Sequence, residues 1–445
     1  MKLNTLRTML LLGTALVARP LFADEAPAAD ASRITSSALI ETGIMGNPAG
    51  PAVANNYGQL FTDKPNQVVL NQAMLTLNRD LDPKAEGYDW GFKLQGFYGA
   101  DARYTHFIGL WDHNTSDRNQ FDIVEANALL HAPVLTDGGI DLKVGAYSTP
   151  IGYEVIQSNL NPLYSHSYIF NYGIPLKHTG GLSVTHVNDM LDIWLGVDSG
   201  INTTLDGRGD PNGGVSGIAG FGLNGLADGK LTILTLSHFG PGQAALRPDQ
   251  TAGIKGADGY GRYIADSVIT YKYSDVTTFV TELNYIQDDY GWGPGSFHGP
   301  AQAGGIAQYG LYTLNDTVTL VGRGELFSDP KGYFVAGFRG NNDFVGVERG
   351  TNYVSGSTSA VSTLGVNTLS HHGTTYGALT LGAQIAVPGL PERFKGTMIR
   401  PEVRFDGNTE GMKAFNFKDV NGTATAQDTY QFTIGADLVI PVSLF

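Results

Sequence analysis

Past residue 60 the chain alternates polar and apolar positions with a period of two, in segments of about ten residues, the length a tilted strand needs to cross a bilayer. In "TMIRPEVRFD", 397–406, Arg400, Glu402, Arg404 and Asp406 share one face, while Ile399, Val403 and Phe405 share the other. "TVTLVGRGELF", 317–327, sets Thr317, Thr319, Arg323 and Glu325 against Val318, Leu320 and Leu326. In "YDWGFKLQGFY" the residues Tyr88, Trp90, Phe92, Leu94 and Tyr98 oppose Asp89, Lys93 and Gln95. This periodicity predicts strands at 38–46, 66–78, 88–99, 121–131, 138–147, 180–188, 190–199, 215–225, 229–239, 261–273, 276–287, 303–314, 317–328, 376–388, 397–407 and 428–442.

Alternation alone fits a soluble sandwich as well as a membrane barrel. The connections separate the two. Tight turns at Asn188-Asp189, Ala227-Asp228-Gly229, Ser274-Asp275 and Asn315-Asp316 alternate with long segments at 100–120, 148–179, 200–214, 240–260, 288–302, 329–375 and 408–427. Connections near 79–87, 132–137 and 388–396 are longer than a tight turn requires. Short turns on one rim and long loops on the other are the layout of an outer-membrane barrel. The fold class expected is therefore all-β: a transmembrane antiparallel up-and-down β-barrel of about 16 strands, with 14 and 18 as the neighbouring even counts. It has short periplasmic turns, long extracellular loops of which 329–375 is the longest, and a third loop, 148–179, folded inward. Charged faces must then point into the lumen, because Arg or Lys facing mid-bilayer lipid costs about 2–4 kcal/mol.

The last strand, "TYQFTIGADLVIPVSLF", places Tyr430, Phe432, Ile434, Leu438, Ile440 and Val442 on one face and ends at Phe445. The terminal aromatic resembles the assembly signal of bacterial outer-membrane proteins. Its parity differs from that face, and a bulge near Pro441 would restore it.

Composition narrows the function. The 445 residues include no cysteine, which removes disulfides, thiolate metal sites and cysteine nucleophiles. A net charge of -14 argues against nucleic acid as partner. The N-terminus "MKLNTLRTMLLLGTALVARPLFADEAPAAD" carries Lys2 and Arg7, then an apolar run from Met9 to Val17, then small residues. It reads as a signal peptide, 1–23, cleaved after Ala23, leaving 24–445 as one barrel domain. The apolar run is too short for an N-terminal membrane helix.

With the strands placed, "NQVVLNQAMLTLNRDLD" and above all "KVGAYSTPIGYEVIQSNLNPLYSHSYIFNYGIPLKHTGGLSV" resemble the OmpL-like outer-membrane β-barrel porin family. The matching positions are Gly145, Thr149, Pro150, Gly152, Tyr153 and Glu154, then Tyr164, Ser165, Phe170 and Tyr172, then Pro175, His178, Thr179 and Gly180. The match is specific over residues 143–184, and the general layout extends over most of the mature chain. The resemblance implies a passive outer-membrane pore and leaves its solutes undefined.

On strand count, 148–179 is the loop that porin-like barrels fold into the lumen. Tyr153, Glu154, His166, Lys177 and His178 from this loop, with Arg323, Glu325, Arg400, Glu402 and Arg404 from the wall, are the candidate constriction residues. Opposed charges across a narrow pore select by charge and dipole. The competing reading makes the loop an external cap, with the wall charges paired among themselves. The histidines of "YSHSY" and the pair His371-His372 lack further ligands at metal-site spacing, so no metal and no cofactor is expected. "GRGDPN", 207–212, contains Arg-Gly-Asp, a chance tripeptide in a glycine-rich loop, and Asp206 and Asp210 lack calcium-hand spacing.

The function expected is an outer-membrane porin, a diffusion channel for small hydrophilic solutes with sugars or oligosaccharides among them, and not an enzyme. A secreted carbohydrate-binding sandwich and a barrel hydrolase are the competing classes. Expected partners are outer-membrane lipid, the solutes, and the barrel-assembly and periplasmic chaperone machinery. Both a monomer and a homotrimer fit the sequence.

Overall fold

The computed structural model describes residues 33–51, 55–82, 85–107, 110, 117–204, 214–240, 261–293, 297–338, 368–370, 373–420 and 423–445. The chain order is β1 (Ile34–Gly46), β2 (Val68–Arg79), β3 (Asp89–Gly99), β4 (Gln120–Ala132), β5 (Ile140–Ser148), β6 (Lys177–His186), β7 (Leu191–Asp198), β8 (Ser216–Gly225), β9 (Leu231–Gly240) and β10 (Arg262–Lys272). It continues with β11 (Thr277–Gly293), β12 (Phe297–Asn315), β13 (Val318–Asp329), β14 (Ala336–Phe338), β15 (Thr368–Ser370), β16 (Thr374–Ala386), β17 (Met398–Asn408), β18 (Lys418–Val420), β19 (Thr423–Thr425) and β20 (Tyr430–Ser443). Sixteen of these pair with their chain neighbours, all antiparallel, and β20 closes on β1 to complete a barrel. The small ribbons β14–β15 and β18–β19 stand outside that ring. Every predicted strand is present within a few residues of its expected limits, and a two-sheet sandwich is ruled out by the continuous ring of pairing.

Differences of length have local causes. The expected long loop at 288–302 is instead a prolonged hairpin, since β11 and β12 continue pairing past an irregularity to Gly293↔Phe297. The nine-residue connection between β2 and β3 is held by Asp89, which receives Arg33 at 2.6 Å, Arg79 at 3.1 Å and the backbone N–H of Asp82 at 2.6 Å. No bulge occurs at Pro441. The β20 register runs unbroken from Ile434 to Ser443 against β1, and Phe445 caps the strand by exchanging backbone hydrogen bonds with Ser36.

Bulges do matter elsewhere. Between Glu41/Thr42 on β1 an extra residue on β2 turns both Asn71 and Gln72 inward, and at Gln95/Gly96 an extra residue on β4 lets both Asp122 and Glu125 face the lumen. Simple alternation would have sent one of each pair toward lipid.

The outward face is apolar. Trp90, Tyr271, Tyr273, Phe279 and Tyr312 are exposed near the short-turn end, and Tyr98, Phe121, Phe239, Tyr263, Phe405 and Tyr430 near the long-loop end. Leu94, Leu195, Leu283, Leu379 and Ile434 lie between these two groups. This is an aliphatic band between aromatic girdles, the profile of a lipid-facing barrel wall.

The inward face divides. On β6–β10 it holds an apolar cluster of Leu182, Val184, Trp194, Ile218, Leu236 and Ile264, buried beside separate polar groups, among them Lys177, His178, Asp192, Asp198, His238, Arg262 and Asp266. On β1, β13, β17 and β20 it carries Glu41, Arg323, Glu325, Arg400, Glu402, Arg404, Asp406 and Asp437, all buried. These charges are covered by chain segments that enter the lumen, chiefly 149–176 and part of the first connection, 47–67.

A closed barrel keeps its hydrogen-bonded ring in detergent until heated. Unboiled protein should therefore migrate faster than boiled protein in a detergent gel; a single unshifted band from folded protein would contradict closure.

Candidate functional site

A loop driven into a lumen has a problem the wall strands do not: its backbone is irregular, so its own N–H and C=O groups find few partners. Wall side chains supply them. Arg323 on β13 donates through Nη1 to the Ser165 carbonyl at 2.7 Å and through Nη2 to Ser165 Oγ at 3.1 Å. Arg400 on β17 donates through Nη1 to the carbonyls of Ser158 at 2.8 Å and Asn161 at 2.7 Å. Arg404 donates through Nη1 to the His166 carbonyl at 2.7 Å. In the other direction Glu402 accepts the backbone N–H groups of Tyr164 at 2.9 Å and Ser165 at 3.1 Å, and Glu325 accepts that of Tyr168 at 2.6 Å. Further round the ring, on β11, Glu282 accepts the N–H of Tyr153 at 2.9 Å, and Asn284 donates to the Gly173 carbonyl at 3.1 Å.

The charges balance locally. Glu154 Oε1 accepts Arg323 at 2.8 Å and the Tyr309 hydroxyl at 3.0 Å, while Oε2 faces His166 Nδ1 at 2.7 Å and accepts the Ser167 N–H at 3.0 Å. Arg323 pairs with Glu325 at 3.1 Å, and Arg404 reaches Glu325 at 3.4 Å and Asp406 at 2.7 Å. Arg400 is bound by Glu41 at 3.1 Å and by Asp437. Removing one member of a buried pair strands the other, at a cost of about 3–5 kcal/mol. Burial alone would raise the Glu154 carboxyl, but the Arg323 charge, the His166 hydrogen bond and the Ser167 N–H outweigh it and hold it down at about 2.

Shape accompanies charge. A Cβ on Gly43 of β1 would lie 2.6 Å from the Tyr164 ring, and one on Gly382 of β16 would lie 2.7 Å from Leu163. Glycine at these positions lets the segment lie directly on the wall. Tyr168 stacks on Tyr376 with ring centroids 5.4 Å apart, and His166 on Phe170 at 4.0 Å.

Of the ten residues singled out from sequence, eight meet at this segment: Tyr153, Glu154, His166, Arg323, Glu325, Arg400, Glu402 and Arg404. The arginines are at most 1% exposed, so their guanidinium groups hold the segment in place and do not face open water. Lys177 and His178 lie apart. Lys177 Nζ bridges both oxygens of Asp122 at 2.8 and 2.7 Å and the Ile123 carbonyl at 2.7 Å, with the Phe107 ring centroid 3.9 Å away. His178 contacts Thr149, Asp198 and His238. The histidine pair His371-His372 and the Arg-Gly-Asp tripeptide at 208–210 fall outside the described residues.

Several participants were not legible in advance. Glu41 and Asp437 complete the pairing of Arg400, Glu282 holds the Tyr153 N–H, and residues of the first connection join from the other side. Gln59 donates to Asp406 at 2.9 Å, the Gln431 side chain bonds both backbone groups of Tyr57, and Arg103 and Tyr104 meet Asp63 at 2.8 and 2.9 Å. The only sequence signal for the 47–67 insertion was an aperiodic stretch with two aromatics. On the segment's other face Val155, Gln157, Asn159 and Leu160 are half-exposed. Gln157 accepts Gln95 Nε2 at 2.9 Å, and the half-exposed Lys93 and Lys143 stand on the same stretch of wall, Lys93 lying 3.6 Å from Glu125.

A closed sixteen-stranded barrel with a lipid-facing apolar belt and a charged lumen entered by loops defines an outer-membrane channel. Residues 33–442 match the family described as Putative beta-barrel porin-2, OmpL-like, and the chain belongs to that family of passive-diffusion porins. No curated protein sequence matches it. Among solved structures it is similar to OprB of Pseudomonas putida (12% identity, 92% of this chain and 94% of that chain covered, TM-score 0.49). It is also similar to the trimer form of OmpT of Vibrio cholerae (10%, 93% and 100%, 0.48) and to the outer membrane channel DcaP of Acinetobacter baumannii (10%, 92% and 97%, 0.47).

The Glu154 carboxylate has a folded value below its ordinary 4.5, so its ionised form stabilises the segment fully above that pH and the contribution is lost as pH falls through about 2. Hydrogen exchange of the Ser167 amide, corrected for intrinsic rate, should be flat from neutral pH to about 4.5 and rise only near pH 2–3. Loss of protection between pH 6 and 5 would contradict the assignment.

Proposed function

We propose that residues 149–176 form the selective element of this porin, and that small hydrophilic solutes pass across the segment's half-exposed face, past Gln157, Asn159, Lys93 and Lys143. The observation that carries this reading is the hydrogen bonding of Glu402, Arg323, Arg400 and Arg404 to the segment's backbone, which fixes it inside the barrel at the cost of burying four charges. Fixing a loop so firmly makes sense where its other face must keep a defined shape. Tyr153, Glu154, His166 and Glu325 act on this reading as its braces, and Lys177 and His178 hold the strand to which it returns. Amide groups beside lysines suit hydroxylated or anionic solutes, sugars among them. Export through a signal peptide cleaved after Ala23 and insertion by the barrel-assembly machinery complete the proposal.

The direct test is reconstitution in planar bilayers. Wild-type protein should give open-channel currents, and the double substitution Lys93→Glu with Lys143→Glu should shift the reversal potential in a salt gradient toward cations, while leaving heat-modifiable mobility intact. Currents with an unchanged reversal potential would remove these lysines from the path, and absence of current from folded protein would remove the channel reading.

A further inference from the structure

We propose that His178, Asp198 and His238 form a binding site for one divalent transition-metal ion, fastening the root of the lumen segment to the barrel wall. His178 lies on β6, Asp198 at the end of β7 and His238 on β9. The register Gly180↔Asp198, Asp198↔Ser216 and Ile218↔His238 brings their inward-facing side chains together near the long-loop end. Among the described residues this is the one cluster of three metal-ligating groups, with a potential donor atom from each lying within 4.8 Å of the others.

Distances favour an ion over a chance gathering. His178 Nδ1 stands 3.3 Å from Asp198 Oδ2, and His238 Nε2 stands 3.1 Å from Asp198 Oδ1. A tetrahedral ion with ligand distances of about 2.0–2.1 Å has its donor atoms about 3.3 Å apart. The two imidazoles lie 5.0 Å apart at a tilt of 34°. All three side chains are fully withdrawn from solvent.

The hydrogen-bond accounting gives a second, independent reason. Nδ1 of His178 and Oδ2 of Asp198, the two atoms that face each other across the cluster, have no hydrogen-bond partner, and neither does the buried Ser216 Oγ, which the register sets opposite Asp198. A core histidine pair satisfied by one aspartate would not leave that many polar atoms idle, since each costs about 1–3 kcal/mol. Meanwhile the partners that exist are those a metal site needs. His178 Nε2 meets Thr149 Oγ1 at 3.0 Å, which suits a ring whose Nε2–H donates outward and whose Nδ1 lone pair points to the ion. Asp198 Oδ1 accepts the Gly200 N–H at 2.7 Å, which orients the carboxylate. Arg262, the nearby cation, is neutralised by Asp288 at 2.9 Å.

Two imidazoles and one carboxylate suit zinc, cobalt, nickel or ferrous iron, and the composition of the site does not choose among them. Its location says what the ion would do. Thr149 begins the lumen segment and His178 follows its end by two residues, so an ion here would tie both ends of the segment to β7 and β9. Sequence reading placed His178 with the constriction, because Asp198 and His238 are 20 and 60 residues away and no motif links them.

The test uses full-length protein without a polyhistidine tag, stripped with EDTA in detergent, loaded with zinc or cobalt, desalted and assayed by mass spectrometry for metal. Wild type should retain about one equivalent, and cobalt should give visible d–d absorption. Asp198→Asn and His238→Gln should lose the ion while keeping heat-modifiable mobility. Thr149→Val should keep the stoichiometry but bind about tenfold or more weakly, as loss of an outer hydrogen bond to a ligating histidine predicts. Wild type retaining no more metal than Asp198→Asn would overturn the proposal. So would undiminished binding in both ligand variants, the result expected if His371-His372 held the ion.

Discussion

Every polar backbone group at membrane depth must be paired inside the protein, and the whole molecule follows from meeting that demand twice. The wall meets it by closure: strands pair in sequence order and β20 returns to β1, so no edge faces lipid. The lumen segment cannot meet it that way, being too irregular to form a ladder. It borrows side chains, chiefly the charged Arg323, Arg400, Glu402 and Arg404, with amides such as Gln72 and Asn284 adding to them. The alternation of Arg400, Glu402, Arg404 and Asp406 along β17 is therefore two things at once: a consequence of keeping charge out of lipid, and the means by which an irregular segment is held inside.

This double use explains why burying several arginines and glutamates is tolerable. Each guanidinium is matched by carboxylates and by carbonyls of the segment, so few donors are stranded. It also explains the partition of the inward face. Where the segment is bolted, the wall is densely charged; on β6–β10, largely outside that bolting, an apolar cluster shares the inward face with separate buried polar groups such as Lys177, Asp198 and His238.

The strand order and the facing of nearly every strand were legible because lipid imposes a period of two with a severe penalty for error. Arg323 and Glu325 could be placed on the lumen side from their spacing alone. What they touch could not, because Glu154 and Ser165 are 169 and 158 residues from Arg323 and meet it through closure of the ring. Bulges escaped notice for a related reason: Asn71-Gln72 reads as a broken alternation until its partner strand shows that both residues turn inward toward Asp101. The inserted segment itself was recognisable from aromatics without period, but the first connection carries too few of them to be told from a surface loop.

The central claim, that the half-exposed face of the segment borders the permeation path, can be tested at one position. The chain has no cysteine, so Gln157→Cys creates a unique thiol on that face. Applying a charged methanethiosulfonate reagent to the open channel in a planar bilayer should reduce or asymmetrically alter the current, with a mass shift confirming modification. Complete modification with an unchanged current would contradict the account.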